Sequence, residues 1–172
     1  MKKKLFMFSL MLFAAMSIQA QSLIGTWKTA TEIDEDGDAT SWTFTFKKGN
    51  LMTLKMTMSS SDEEVGAFEF GLSIPGSYKR TGNSLSLSLD PSKANGKIEK
   101  MEFKGEMATL INSSAEMKKT VTDMLQTQVD QELKKNFSDE LPFDGEIIIV
   151  SLTSTTLELQ ADDELLKFTR VN

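Results

Sequence analysis

The chain has 172 residues, 40% of them hydrophobic and 26% charged, with a formal net charge of −6 and neither cysteine nor histidine. Those two absences exclude disulfides, thiol nucleophiles, Cys or His zinc centres and an imidazole general base. The acidic balance argues against a nucleic-acid partner, whose phosphates call for a basic face.

The first twenty residues read as an export signal rather than as fold. Lys2, Lys3 and Lys4 precede an almost wholly apolar run from Leu5 to Ile18, followed by Gln19 and the small Ala20. This is the pattern of a secretory signal peptide, with cleavage expected after Ala20. The run is shorter than the roughly 20 residues of a transmembrane span, and no second stretch of that length follows. With no cysteine behind the run, the expectation is a periplasmic or extracellular protein that is neither a lipoprotein nor membrane-embedded. Loss of three lysines and no acids takes the net charge from −6 to −9. Residues 21–172 are expected to form one domain around a single core.

A first strand is predicted from Thr26 to Ile33. From Trp42 the residues alternate, with Trp42, Phe44 and Phe46 on one face and Thr43, Thr45 and Lys47 on the other, which is the period of a half-buried strand. Lys48-Gly49-Asn50 supplies a turn, and Met52, Leu54, Met56 and Met58 resume the alternation as the second arm of a hairpin. The acidic, serine-rich stretch from Ser59 to Glu64 reads as a loop. Phe68, Phe70, Leu72 and Ile74 mark the next strand, with a bulge or break predicted at Pro75-Gly76 before Tyr78. Leu85, Leu87 and Leu89 follow the Gly82-Asn83 turn, and further strands fit Ile98 to Phe103, Glu146 to Leu152, Leu157 to Gln160 and Leu165 to Val171. Nine or ten strands on short turns predict a mainly β fold, an antiparallel up-and-down meander closed as a barrel or folded as a sandwich.

One helix interrupts that series. Ser113 and Glu116 have capping-box spacing, and Met117, Val121, Leu125, Val129, Leu133 and Phe137 recur every four residues, with Met124 alongside. Lys134, Lys135 and Asn136 suit a helix end, and Pro142 bars continuation. The predicted helix, about 114–135, is about 33 Å long. Its apolar stripe serves either as a lid over a barrel mouth or as packing against the barrel side.

Gly25-Thr26-Trp27 opens the first strand and Arg170 lies in the last, on the same face as Leu166 and Phe168. Together with the meander, these residues resemble the lipocalin-like, or calycin, group. The chain is similar in particular to the small secreted lipocalin-like domains of Gram-negative gut bacteria: it carries Gly25-Thr26-Trp27, then Gly76-Ser77-Tyr78 with Gly82-Asn83, then a leucine-rich final hairpin from Leu157 to Val171. The resemblance implies a barrel of about eight to ten strands. At its closed base Arg170 would lie against the Trp27 indole beside Gly25, a cation–π contact. It also implies a small apolar or amphipathic ligand held inside the barrel. The helix departs from the pattern, since lipocalins carry theirs after the barrel.

The residues expected to line such a cavity are Trp42, Phe44, Phe46, Met52, Leu54, Met56, Met58, Phe68, Phe70 and Tyr78. Methionines and aromatics on adjacent strands suit an adaptable apolar pocket, and they suit a filled core equally well. The acidic turn Asp34, Asp36, Gly37, Asp38 begins like a calcium loop. Ala39 stands where that loop needs its glycine and Thr45 where it needs its glutamate, so a solvated hairpin turn is expected and no metal. Neither a carboxylate pair nor a serine–lysine pair has a motif, and Glu69 and Glu158 lie on strand faces opposite apolar residues. An outer-membrane barrel would need aromatic girdles, for which the mature chain offers only Trp27, Trp42 and Tyr78. The expectation is a non-catalytic binding protein without cofactor, the alternative being a solid-core module for a protein partner.

Overall fold

A computed structural model describes residues 22–62, 66–136, 143, 146–161 and 164–171, with backbone alone at 62, 107, 128 and 132–136. The signal peptide at 1–20, the Leu133 side chain, Phe137 and Pro142 lie outside the described residues. The described residues form ten strands: β1 (Gly25–Thr29), β2 (Glu32–Ile33), β3 (Ala39–Phe46), β4 (Leu51–Asp62), β5 (Gly66–Thr81), β6 (Ser84–Leu89), β7 (Asn95–Phe103), β8 (Glu146–Leu152), β9 (Thr156–Ala161) and β10 (Glu164–Val171). Helices α1 (Gly105–Ile111) and α2 (Ala115–Asn136) fall between β7 and β8.

Eight strands close an antiparallel barrel in the order β1–β10–β9–β8–β6–β5–β4–β3, with β1 pairing β3 to complete the ring. Closure leaves those eight without an unpaired edge along the ring. β7 stands outside it, paired with Gly66–Ser73 of β5, while β6 takes the second half of β5 from Gly76 to Thr81. β5 therefore runs unbroken through Pro75-Gly76, where a bulge or break was expected. Pro75 sits at the changeover between the two neighbours, so its missing N–H leaves no ladder partner unsatisfied, and its carbonyl accepts from the Asp90 amide at 2.8 Å. The predicted first strand is instead two: β1 ends at Thr29, and the short β2 pairs only with Thr40 and Ala39 of β3.

Alternation places one face of each ring strand inside. Two bulges reset that parity. In β8 the register shifts between Ile149 and Ser151, so that Ile147, Ile149 and Leu152 all point inward while Val150 faces out. In β7 the shift falls at Glu99, between Ile98 opposite Phe70 and Lys100 opposite Glu69. The bulged Glu99 reaches Lys55 on β4 as an ion pair, over Gly71. A Cβ on Gly71 would stand 2.8 Å from the Glu99 carboxylate, so a larger residue there would push the ion pair aside.

The helical region also differs in detail. α2 is capped by Ser114, whose hydroxyl accepts from the Met117 amide at 3.0 Å, whereas Ser113 donates to the Leu110 carbonyl at the end of α1. The expected capping box is thus shifted by one residue, and the position facing back to Ser114 is a methionine, which cannot reciprocate. α1 was not expected: its seven residues span barely two turns, too short for the spacing of Met107, Leu110 and Ile111 to recur.

Candidate functional site

The base of the barrel is closed by three consecutive carbonyls. The Trp27 indole N–H donates to Leu23 at 2.8 Å, and the Arg170 guanidinium donates to Ser22 at 3.1 Å and Ile24 at 3.2 Å. The Arg170 guanidinium carbon lies 4.3 Å from the centroid of the fully buried Trp27 ring. Gly25 is required here twice over: its φ is +143°, and a Cβ would meet the guanidinium at 2.7 Å. Arg170 Nε is buried without an acceptor, so the stacked indole and the two carbonyl bonds compensate for its desolvation.

At the base and just above it the interior is dense. Phe44, Phe46, Met52 and Leu54 belong to the buried core with Leu85, Ile147, Leu157 and Phe168. Phe44 stacks on Phe46 with centroids 5.5 Å apart and tilts against Phe168 at 5.3 Å. Tyr78 meets Phe46 edge-on at 4.9 Å and donates from its hydroxyl to the Lys47 carbonyl at 3.3 Å.

The other half of the expected lining behaves differently. Trp42, Met56, Phe68 and Phe70 are half-buried and Met58 is 38% exposed. Register joins them into one apolar face: Trp42 opposes Met56, Met58 opposes Phe70, Phe70 opposes Ile98, and Phe68 opposes Met101. Phe103 extends it, edge-on to Phe68 at 5.6 Å. The buried Thr29 hydroxyl accepts from the Trp42 amide at 2.9 Å and so fixes the start of this face where β1 ends. Phe143 stands over both Trp42 and Phe44. The structure thus divides the ten expected residues into a core group and a partly open group. It adds Ile98, Met101, Phe103 and Phe143 to the second.

α2 lies on the flank, against β7. The Gln126 carboxamide accepts from the Ile98 amide at 3.2 Å and donates to the Gly96 carbonyl at 2.7 Å. Those groups point from the same edge of β7, so one side chain imitates the peptide of a neighbouring strand. Val121, Leu125 and Val129 are half-buried, while Met117 and Met124 face water, Met124 at 62% exposure.

Charge sits outside this apolar interior. Hydrogen bonding from Lys55 holds the Glu99 carboxyl below the usual carboxylate range. On the surface, Lys93 and Ser92 do the same for Asp90, and Asp90 raises Lys93 in turn. Burial lowers the pKa of Arg80. In the acidic turn the Asp34 carboxylate accepts from the amides of Asp36 and Asp38 at 3.0 and 2.9 Å, so the backbone occupies it. A groove of about 240 Å³ beside that turn is lined by Gly37, Ser59, Ser61, Glu69 and Lys100 among others. Among the described residues no three His, Cys, Asp or Glu side chains gather as a metal site, and no helix is long and apolar enough to cross a membrane. No protein-family model matches the chain, and a search of curated proteins returns no match.

Proposed function

We propose that this is a non-catalytic, lipocalin-like binding protein, exported by its N-terminal signal, that carries a small apolar or amphipathic molecule. The observation that carries this reading is the half-exposed face of Trp42, Met56, Met58, Phe68 and Phe70 at one end of a barrel sealed at the other. Methionine and aromatic side chains left partly open to water on a rigid sheet suit a flexible apolar ligand, since thioethers adapt to irregular shapes. The Gly25–Trp27–Arg170 base supports the lipocalin-like assignment, and the Lys2–Ala20 pattern supports export. The dense packing around Phe44 and Phe46 favours a second reading, a solid-core module that meets a protein partner.

Native mass spectrometry of the protein purified from its natural source, followed by denaturing extraction, tests the first reading. A stoichiometric small molecule is the expected result. A clean apo mass together with no uptake of a fluorescent apolar probe would overturn it in favour of the second.

A further inference from the structure

Among the described non-glycine residues only Asn50 and Phe143 have a left-handed backbone, with φ of 60° and 67°. Asn50 follows Gly49 in a tight turn, where asparagine tolerates that conformation. A phenylalanine does not, and its strain has to be held by what its ring touches. The Phe143 ring stands edge-on to Trp42, with centroids 5.4 Å apart and planes at 89°, and against Phe44 at 5.1 Å and 62°. It is half-buried, at the boundary between the sealed core and the open apolar face. Phe168 also touches Phe44, but from the regular strand β10 and with no exposure, so it is a fixed part of the core.

We infer that Trp42 and Phe44 form a subsite for a planar apolar ring, that Phe143 fills it in the free protein, and that a ring-bearing ligand binds by taking the place of Phe143. The inference rests on the carrier reading above and narrows its ligand class to molecules with an aromatic or similarly flat apolar ring. Two aromatic walls meeting a third ring edge-on select a flat partner through their quadrupoles, a preference that a saturated chain does not share. A strained backbone relaxes when the ring leaves, which makes this occupant exchangeable. An internal occupant also lowers apparent affinity by the fraction of time the subsite is filled, so its removal tightens binding.

The test compares the unaltered protein with Phe143→Ala and Phe143→Gly, the glycine variant suiting the left-handed backbone if the alanine variant folds poorly. Two probes are titrated: 1-anilinonaphthalene-8-sulfonate, which has flat rings, and decanoate, which has none. The expected result is naphthalene binding tightened by about tenfold or more in the variants, with decanoate changed less than about threefold. Adding Trp42→Ala should abolish the gain. Unchanged naphthalene affinity in a folded variant, or equal tightening for both probes, would overturn the inference while leaving the carrier reading in place. Binding of neither probe by any of the proteins would overturn both.

Discussion

At the base of the barrel Trp27, Phe46 and Met52 are shut off from water, whereas farther along the same sheet Trp42, Met56 and Met58 remain partly open to it. Composition does not separate the two regions, because each is an aromatic and methionine face on β3 and β4. Strand pairing does. Near the base β3 is flanked by β1 and β4, and the ring is complete. Past Thr43 the β1 pairing ends, and the long β4–β5 hairpin runs on with β7 outside the ring. The same alternation therefore yields a packed core where the ring closes and an exposed apolar face where it does not. Burial, and with it any binding role, follows from topology rather than from residue type.

Substitutions at the two ends should separate accordingly, with the largest effects at the base. Phe46→Ala should cost about 3–5 kcal/mol, the loss from a buried aromatic, and Met58→Ala less than about 1 kcal/mol. Urea unfolding measures both. Apolar-probe titration should show the reverse order, with affinity lost in Met58→Ala. Equal destabilisation at the two positions would break the comparison.

Arg170→Ala comes next, at about 2–3 kcal/mol, because it removes the cation–π contact on the buried Trp27 ring and two charge-assisted bonds to the Ser22 and Ile24 carbonyls. Probe affinity should stay as it is. An unaltered melting temperature would show that the base is closed without it.

Gln126→Ala should cost about 1 kcal/mol locally and leave the barrel intact. Hydrogen exchange of the Ile98 amide should quicken, while the amides of β9 keep their protection. Equal acceleration in β9 would mean that α2 supports the whole ring rather than the β7 edge.

The smallest effect concerns pH. The Glu99 pKa is depressed in the folded protein, so the contribution of the Lys55 ion pair is present at neutral pH and is lost as pH falls through the carboxylate range. Both side chains are about a third exposed, which keeps the effect small. Urea midpoints between about pH 7 and pH 3 should decline less steeply in Glu99→Gln than in the unaltered protein. Parallel curves would assign the acid sensitivity elsewhere.

Most of the strands and the long helix were legible because period two and period four are local signals carried by Phe44, Met52, Leu85 or Val121 alone, whereas Ser59 to Asp62, expected as loop for their serines and acid, continue β4. The bulges at Glu99 and Val150 were not, since a one-residue slip looks like noise in the alternation until the partner strand is known. Pro75 misled because its local meaning is a break, while its place in the sheet is a change of neighbour. Within the candidate site, the ten lining residues were readable as an apolar set, but their division was not. It depends on where β1 stops pairing with β3. Phe143 escaped altogether: it sits in a loop sequence, and its partners Trp42 and Phe44 lie about a hundred positions earlier.

Methionine methyl spectra offer the most direct test, because Met52 marks the base, Met56 and Met58 mark the open face, and Met124 marks the outer side of the helix. The protein, labelled with 13C at its methionine methyls, would be titrated with 1-anilinonaphthalene-8-sulfonate. Saturable shifts at Met56 and Met58, with Met52 and Met124 unmoved, are the expected result. Shifts centred on Met52 or Met124, or none at all, would contradict the division of the barrel into a structural base and a ligand-binding end.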